Sequence, residues 1–144
     1  MSAVLFSYAL CVVVLFVKMF AISLYQGVYR ICRLTFKNAE DAKFVGRPAS
    51  PEELPQVARA AQAWMNDLEN IPLFFALGAL YVMVAAPAEP ATWLFYTFTA
   101  ARVLHTVTYL ACWQPWRTLS YVVGIVCLFG LAGIIVSTLA DRAI

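Results

Sequence analysis

Charge is scarce in this chain. Of its 144 residues only 12% are Asp, Glu, Lys or Arg, whereas 63% are apolar, and the mean hydropathy is +0.78. Soluble domains carry about a quarter charged and about half apolar residues, so a water-soluble globule is excluded. The formal charge is only +2, and no basic run or interleaving of aromatic and basic residues is present. That removes nucleic acid from the partners. Histidine occurs once, at His105, without companion ligands, and Cys11, Cys32, Cys112 and Cys127 form no CxxC pair. Neither a metal site nor a disulfide framework is suggested. The cysteines read as small core residues, Cys32 between Arg30 and Arg33 being the one whose neighbours favour reactivity. A phosphate loop, a Ser/His/Asp triad and a pair of acid/base carboxylates are missing as well. What remains is apolar sequence in lengths that cross a bilayer, with room for about four spans and no separate soluble module.

The first apolar run starts at Ala3, is broken by Lys18 and resumes to Tyr29, which predicts a long helix over about residues 3–35 that protrudes on one side. No small-residue cleavage site follows a short apolar core, so it reads as an anchor and not a removable signal. Ser23, Gln26, Arg30 and Arg33 form a polar stripe along its second half. Lys18 either snorkels or tethers a partner helix. Residues 36–50 read as the one sizeable aqueous loop. Ser50, Pro51 and Glu53 look like a helix start with Ser50 as N-cap and Glu53 completing a capping box. The second helix, about residues 51–86, carries Arg59, Gln62, Asn66 and Glu69 on one face, with a kink expected at Pro72. A tight, cation-free turn leads to a third helix over about residues 91–113. Gln114-Pro115 then turns the chain into a fourth, about residues 117–141, where Gly124, Gly130 and Gly133 permit close helix approach.

The third helix holds the most informative stretch, Arg102-Val-Leu-His-Thr-Val-Thr-Tyr109. Arg102, His105 and Tyr109 fall at i, i+3 and i+7 and so share a helix face. Ionisable groups at membrane depth are unfavourable by a few kcal/mol, so such a face turns to a bundle interior or a wet cavity and marks function. Arg30, Arg33, Lys37, Lys43, Arg47, Arg59 and Arg117 cluster at the first and third connections, against Arg142 alone at the opposite side. The positive-inside rule makes those connections cytoplasmic and places both termini on the far side. The polar stripes then converge on the cytoplasmic half of one bundle. Arg30, Arg102 and Arg117 suit carboxylate or phosphate, and a buried Glu69 suits an ammonium or orients one of the arginines, so the expected ligand is a small zwitterion with excess negative charge.

Four motifs together resemble the MAPEG family of microsomal glutathione transferases and membrane prostaglandin E synthases. They are Asn38-Ala-Glu-Asp41, Asn66-Asp-Leu-Glu-Asn-Ile71, Ala101-Arg-Val-Leu-His-Thr-Val-Thr-Tyr-Leu110 and Gln114-Pro-Trp-Arg117. The resemblance runs in order from about Lys18 to Tyr121. It implies an all-α membrane protein whose four-transmembrane-helix protomer forms a homotrimer, with glutathione as co-substrate between subunits and a lipophilic substrate arriving through the bilayer. By that resemblance Arg30, Asn66, Glu69, Arg102, His105, Tyr109 and Tyr121 surround glutathione. Arg117 stands by the thiol, Thr118 replaces a serine, and Asp41 is a loop aspartate expected to pair with Arg117.

The implied activity is a glutathione transferase or peroxidase in a bacterial inner membrane or the endoplasmic reticulum, its site facing the cytoplasm. Two alternatives stand beside it: a prostaglandin E synthase-like isomerase, and a non-catalytic scaffold of the same fold. Gln62 and Trp64 stand where relatives often carry Arg and His, Met65 where the synthase has Arg, and Pro72 comes one residue early. Fewer cations on the second helix favour a general transferase over the isomerase.

Overall fold

The computed structural model describes residues 2–143, and among them every regular element is helical. Four long helices, α1 (Ala3–Arg33), α3 (Pro55–Met83), α4 (Ala88–Leu110) and α5 (Trp116–Ala143), run up and down, with a short α2 (Ala39–Phe44) in the first connection. Helices α3 and α4 form the middle of the bundle. Each touches α1 and α5, which do not touch each other.

Helix α1 begins where Ser2 accepts a hydrogen bond from the Leu5 N–H. It ends where Leu34 turns left-handed (φ 45°) and the Leu34 and Thr35 N–H groups close on the carbonyls of Ile31 and Arg30. Arg30 and Arg33 occupy its last turn, the end of a helix dipole that favours cations.

The second long helix starts later than the Ser50-Pro51 signal implies. Leu54 precedes Pro55 and is extended (φ −57°, ψ 133°), as steric conflict with a following proline ring demands, so the helix enters at Pro55. The capping box does not form. The Ser50 hydroxyl donates to the Glu52 carbonyl at 2.7 Å, and Glu53 turns instead to Arg30. Helix α3 then continues through Pro72 to Met83. The third helix is displaced by three residues at each end from the expected span, because Ala88 to Pro90 already form its first turn, where a missing N–H is harmless.

The core gathers aliphatic side chains around an aromatic cluster that lies away from the α2 end. Phe74 stacks on Phe98 with ring centroids 4.5 Å apart, and Phe95 meets Phe74 and Tyr81 edge-on. Large apolar side chains also cover the outside. Phe6, Val13, Phe16, Phe20, Val28 and Ile31 on α1, with Val126, Phe129 and Val136 on α5, are all more than half exposed. Apolar faces this long are unfavourable in water and suit lipid. By length and hydropathy α1 and α5 can each cross a membrane.

Glycine contributes to packing at two of the three positions expected and at one more. Gly124 and Gly130 face α4, whereas Gly133 has no neighbour within 4 Å of an added Cβ. The closest approach is at Gly78 on α3, where a Cβ would lie 2.4 Å from the Tyr8 ring. That ring is fixed because its hydroxyl donates to the Phe75 carbonyl at 2.8 Å. Gly78→Ala should therefore destabilise the solubilised protein by about 1–3 kcal/mol, the usual effect of overpacking. In a Tyr8→Leu background the loss should shrink, and unfolding measured across that double-mutant cycle checks it.

Candidate functional site

Two charged features occupy the interior and one end of the bundle. The first is an ion triad. Asp67 of α3 is fully buried and receives Lys18 of α1 on one carboxylate oxygen and Arg102 of α4, at 2.7 Å, on the other. Arg102 is the largest wholly buried side chain, and its stem passes Gly124 of α5 at 3.6 Å from the position of a Cβ. At about 1.5 Å per residue, Asp67 lies roughly 18 Å along α3 from Pro55, well inside the bundle. Two cations share one anion, and the Arg102 Nε and one terminal nitrogen have no hydrogen-bond partner.

The second feature is a recess of about 260 Å³ between α3, α4 and the first turns of α5, lined by Asn66, His105, Tyr109, Arg117, Thr118 and Tyr121. The Arg117 guanidinium lies over the Tyr109 ring, 4.8 Å from its centroid. With its oxygen toward Arg117, the Gln114 amide accepts from Arg117 at 3.1 and 2.7 Å and donates to the Thr118 hydroxyl at 3.1 Å. The buried His105 ring bonds through Nδ1 to the Arg117 carbonyl at 3.0 Å. A carbonyl only accepts, so Nδ1 carries the proton. Tyr109 reaches across to Gln62, its hydroxyl donating at 3.3 Å. A cation, three hydroxyls and an amide thus face one opening, and no carboxylate lines it.

Among the site residues expected from the sequence, six come together in this recess, and Arg102 stands behind it. Its terminal nitrogen donates at 2.6 Å to the Asn66 side-chain oxygen. Three others lie elsewhere in the chain. Arg30 is paired with Glu53 at 2.5 Å. Asp41 accepts from Asn38 at 3.2 Å and makes no ion pair with Arg117 within the chain. Glu69 is exposed on the single chain, and the carboxylate buried within it is Asp67. The sequence signals for it are Lys18 breaking an apolar run and Asp67 lying off the polar stripe of its own helix. Gln114 reads in the sequence as part of a turn and a motif, with nothing to mark it as the partner of Arg117. Of the cysteines, Cys11 and Cys127 are buried while Cys32 and Cys112 are exposed.

Helices with apolar outer faces, an ionic interior and a cation-bearing polar recess at one end define a membrane-associated protein. The MAPEG family model matches residues 8–137, and the chain belongs to that family. Human prostaglandin E synthase is 34% identical over 122 residues, covering 83% of this chain and 80% of the relative. Microsomal glutathione S-transferase 1 is 36% identical over 112 residues in the human protein and 34% in that of Sus scrofa, each covering 74% of this chain and 72% of the relative.

The Arg30–Glu53 pair ties the end of α1 to the segment entering α3. The Arg30 hydrogen bonds hold the Glu53 carboxyl below its usual value of about 4.5, against partial burial, with help from the Leu54 N–H. Because the folded-state value is depressed, the tether stabilises fully above the unfolded value and is lost as pH falls through the folded one. The melting temperature of the wild type should therefore fall more steeply than that of Glu53→Gln as pH drops from the unfolded value through the folded one. Equal slopes would refute the tether.

Proposed function

We propose that the chain is an integral-membrane glutathione transferase, with peroxidase capacity, that uses Arg117 to hold glutathione as its thiolate. The observation that carries this is the Arg117 guanidinium, fixed between the Tyr109 ring and the Gln114 amide at the start of α5, with the Thr118 hydroxyl beside it. A free thiol has a pKa near about 8.5, and a cation at a helix start lowers it by stabilising the charged form. The thiol proton leaves to water and the sulfur keeps the electron pair. That sulfur then bonds to an electrophilic carbon while the leaving group departs with its own pair.

The finer features of this reading are a four-span topology and a homotrimer. Helices α3 and α4 would cross beside α1 and α5, their buried ions satisfied within the bundle. Glu69 is exposed on the same face as Arg59, and an exposed carboxylate at membrane depth calls for a covering surface. A neighbouring copy would supply it, closing the open recess and bringing Arg30 and Glu69 to glutathione from the next subunit. The connection holding α2 and the Gln114-Pro115 turn would face the cytoplasm, in a bacterial inner membrane or the endoplasmic reticulum. The lipophilic substrate would enter from the bilayer.

Prostaglandin endoperoxide isomerisation is the second reading, favoured by the likeness to prostaglandin E synthase. Against it, Met65 is an exposed apolar side chain where that reading needs a cation, and Gln62 already accepts from Tyr109.

The test is conjugation of glutathione to a chlorinated nitrobenzene by the purified protein. Arg117→Ala should lower kcat/KM by about a hundredfold or more, the scale of losing one preorganised charge donor. Activity that survives the substitution would remove the thiolate assignment, and a wild type without conjugating or peroxidase activity would leave the scaffold reading.

A further inference from the structure

The recess is one residue away from the ion triad, and the link between them has a direction. Arg102 donates from a single terminal nitrogen to Asp67 Oδ1 at 2.7 Å and to Asn66 Oδ1 at 2.6 Å. Guanidinium nitrogens only donate, so the oxygen of the Asn66 amide must face Arg102 and its NH2 group must face the other way. Asn66 lines the recess, and among the described residues no acceptor takes its side-chain nitrogen. The inner wall therefore offers a hydrogen-bond donor.

Nothing in Asn66 itself fixes this polarity, since an amide turned over would offer an acceptor. Arg102 fixes it, and Arg102 is fixed in turn by Asp67. The carboxylate holds the guanidinium in a wholly buried position that Gly124 leaves open. Lys18 occupies the second carboxylate oxygen and so leaves Arg102 the first.

We infer that Asp67, braced by Lys18, is a positioning residue that sets the Asn66 amide as a donor, and so selects a ligand presenting a carboxylate or peptide carbonyl to the inner wall of the recess. Arg117 faces the same opening from α5, so the ligand meets donors on both sides. For glutathione this assigns an oxygen of the tripeptide backbone or a carboxylate to Asn66; that part rests on the function proposed above, while the amide polarity does not.

A purely structural triad would act only by balancing charge, and the two roles separate cleanly. The wild type buries two cations and one anion, a net single positive charge. Asp67→Leu leaves two positive charges, and Lys18→Met with Asp67→Leu restores the net of one. The experiment follows the 15N-labelled side-chain amide of Asn66 in detergent, its signal identified by its absence from Asn66→Asp. Glutathione Kd and KM are measured on the same proteins.

Positioning by Asp67 predicts a displaced Asn66 signal and affinity weaker by about tenfold or more in the double variant, although its buried charge matches the wild type, as expected for losing one oriented donor to a charged ligand. A double variant with wild-type signal and affinity would overturn the inference. Should Asp67→Leu alone fail to fold, the double variant decides the matter by itself. A wild type that binds no glutathione, with the Asn66 signal still displaced in the double variant, would sink the glutathione reading and leave the positioning role standing.

Discussion

A single carboxylate, Asp67, holds the bundle's interior in register. It has no contact with water and takes a cation from each of two other helices. Removing such an ion from water is unfavourable by several kcal/mol, and only close pairing on both oxygens offsets it. The arrangement tolerates little sliding: a one-turn shift of α1 or α4 against α3 would leave Lys18 or Arg102 buried and alone. Apolar packing is far less particular. The aromatic cluster of Phe74, Phe95 and Phe98 could find other contacts, but the triad has one solution. Depth in the bundle is thereby fixed for Asn66, the residue next to Asp67, and for His105, one turn beyond Arg102.

The recess inherits its order from that register. His105 reaches from α4 to the Arg117 carbonyl, so the first turn of α5 is tied to the helix that carries Arg102. Ser120 donates to the same carbonyl at 3.0 Å. Arg117 is then left with its backbone fixed and its guanidinium held by Tyr109 and Gln114, none of which is charged. Neutral restraints orient a cation without neutralising it. An aspartate in the place of Gln114 would hold Arg117 equally well and cancel the field that an incoming anion needs.

Hydropathy made the class of protein and its four long helices legible, because lipid admits few alternatives to long apolar helices. The i, i+3, i+7 spacing of Arg102, His105 and Tyr109 identified the interior face of α4, and the structure buries both Arg102 and His105. Helix ends were harder. The Ser50-Pro51-Glu53 pattern is a fair start signal, yet Pro55 lies just beyond it and forces Leu54 out of helical geometry. That steric rule was available in the sequence and outranks a cap. Glu53 was read as local chemistry when its partner, Arg30, stands 23 residues away. Asp67 was quoted within a motif and passed over because it lies off the stripe formed by Arg59, Gln62, Asn66 and Glu69. A stripe marks the face that meets water or a neighbour, whereas a single acid beside it, turned inward, finds its cations only in three dimensions.

Charge placement also explains why the opening should draw anions to the edge of an apolar bundle. The interior triad carries one uncompensated positive charge, Arg117 adds another at the mouth, and no acid lines the recess. Of the acids near the first connection, Glu53 is engaged by Arg30 and Asp41 by Asn38. Between low-dielectric walls a field of this sign is screened far less than at an open surface, so cations gathered here act on a ligand from both depth and rim. A neutral molecule gains nothing from that gradient. On the function proposed, a carboxylate-bearing one gains at each step inward until the Asn66 amide meets it, and the sulfur carried along with it rests beside Arg117, where a negative charge on it is least opposed.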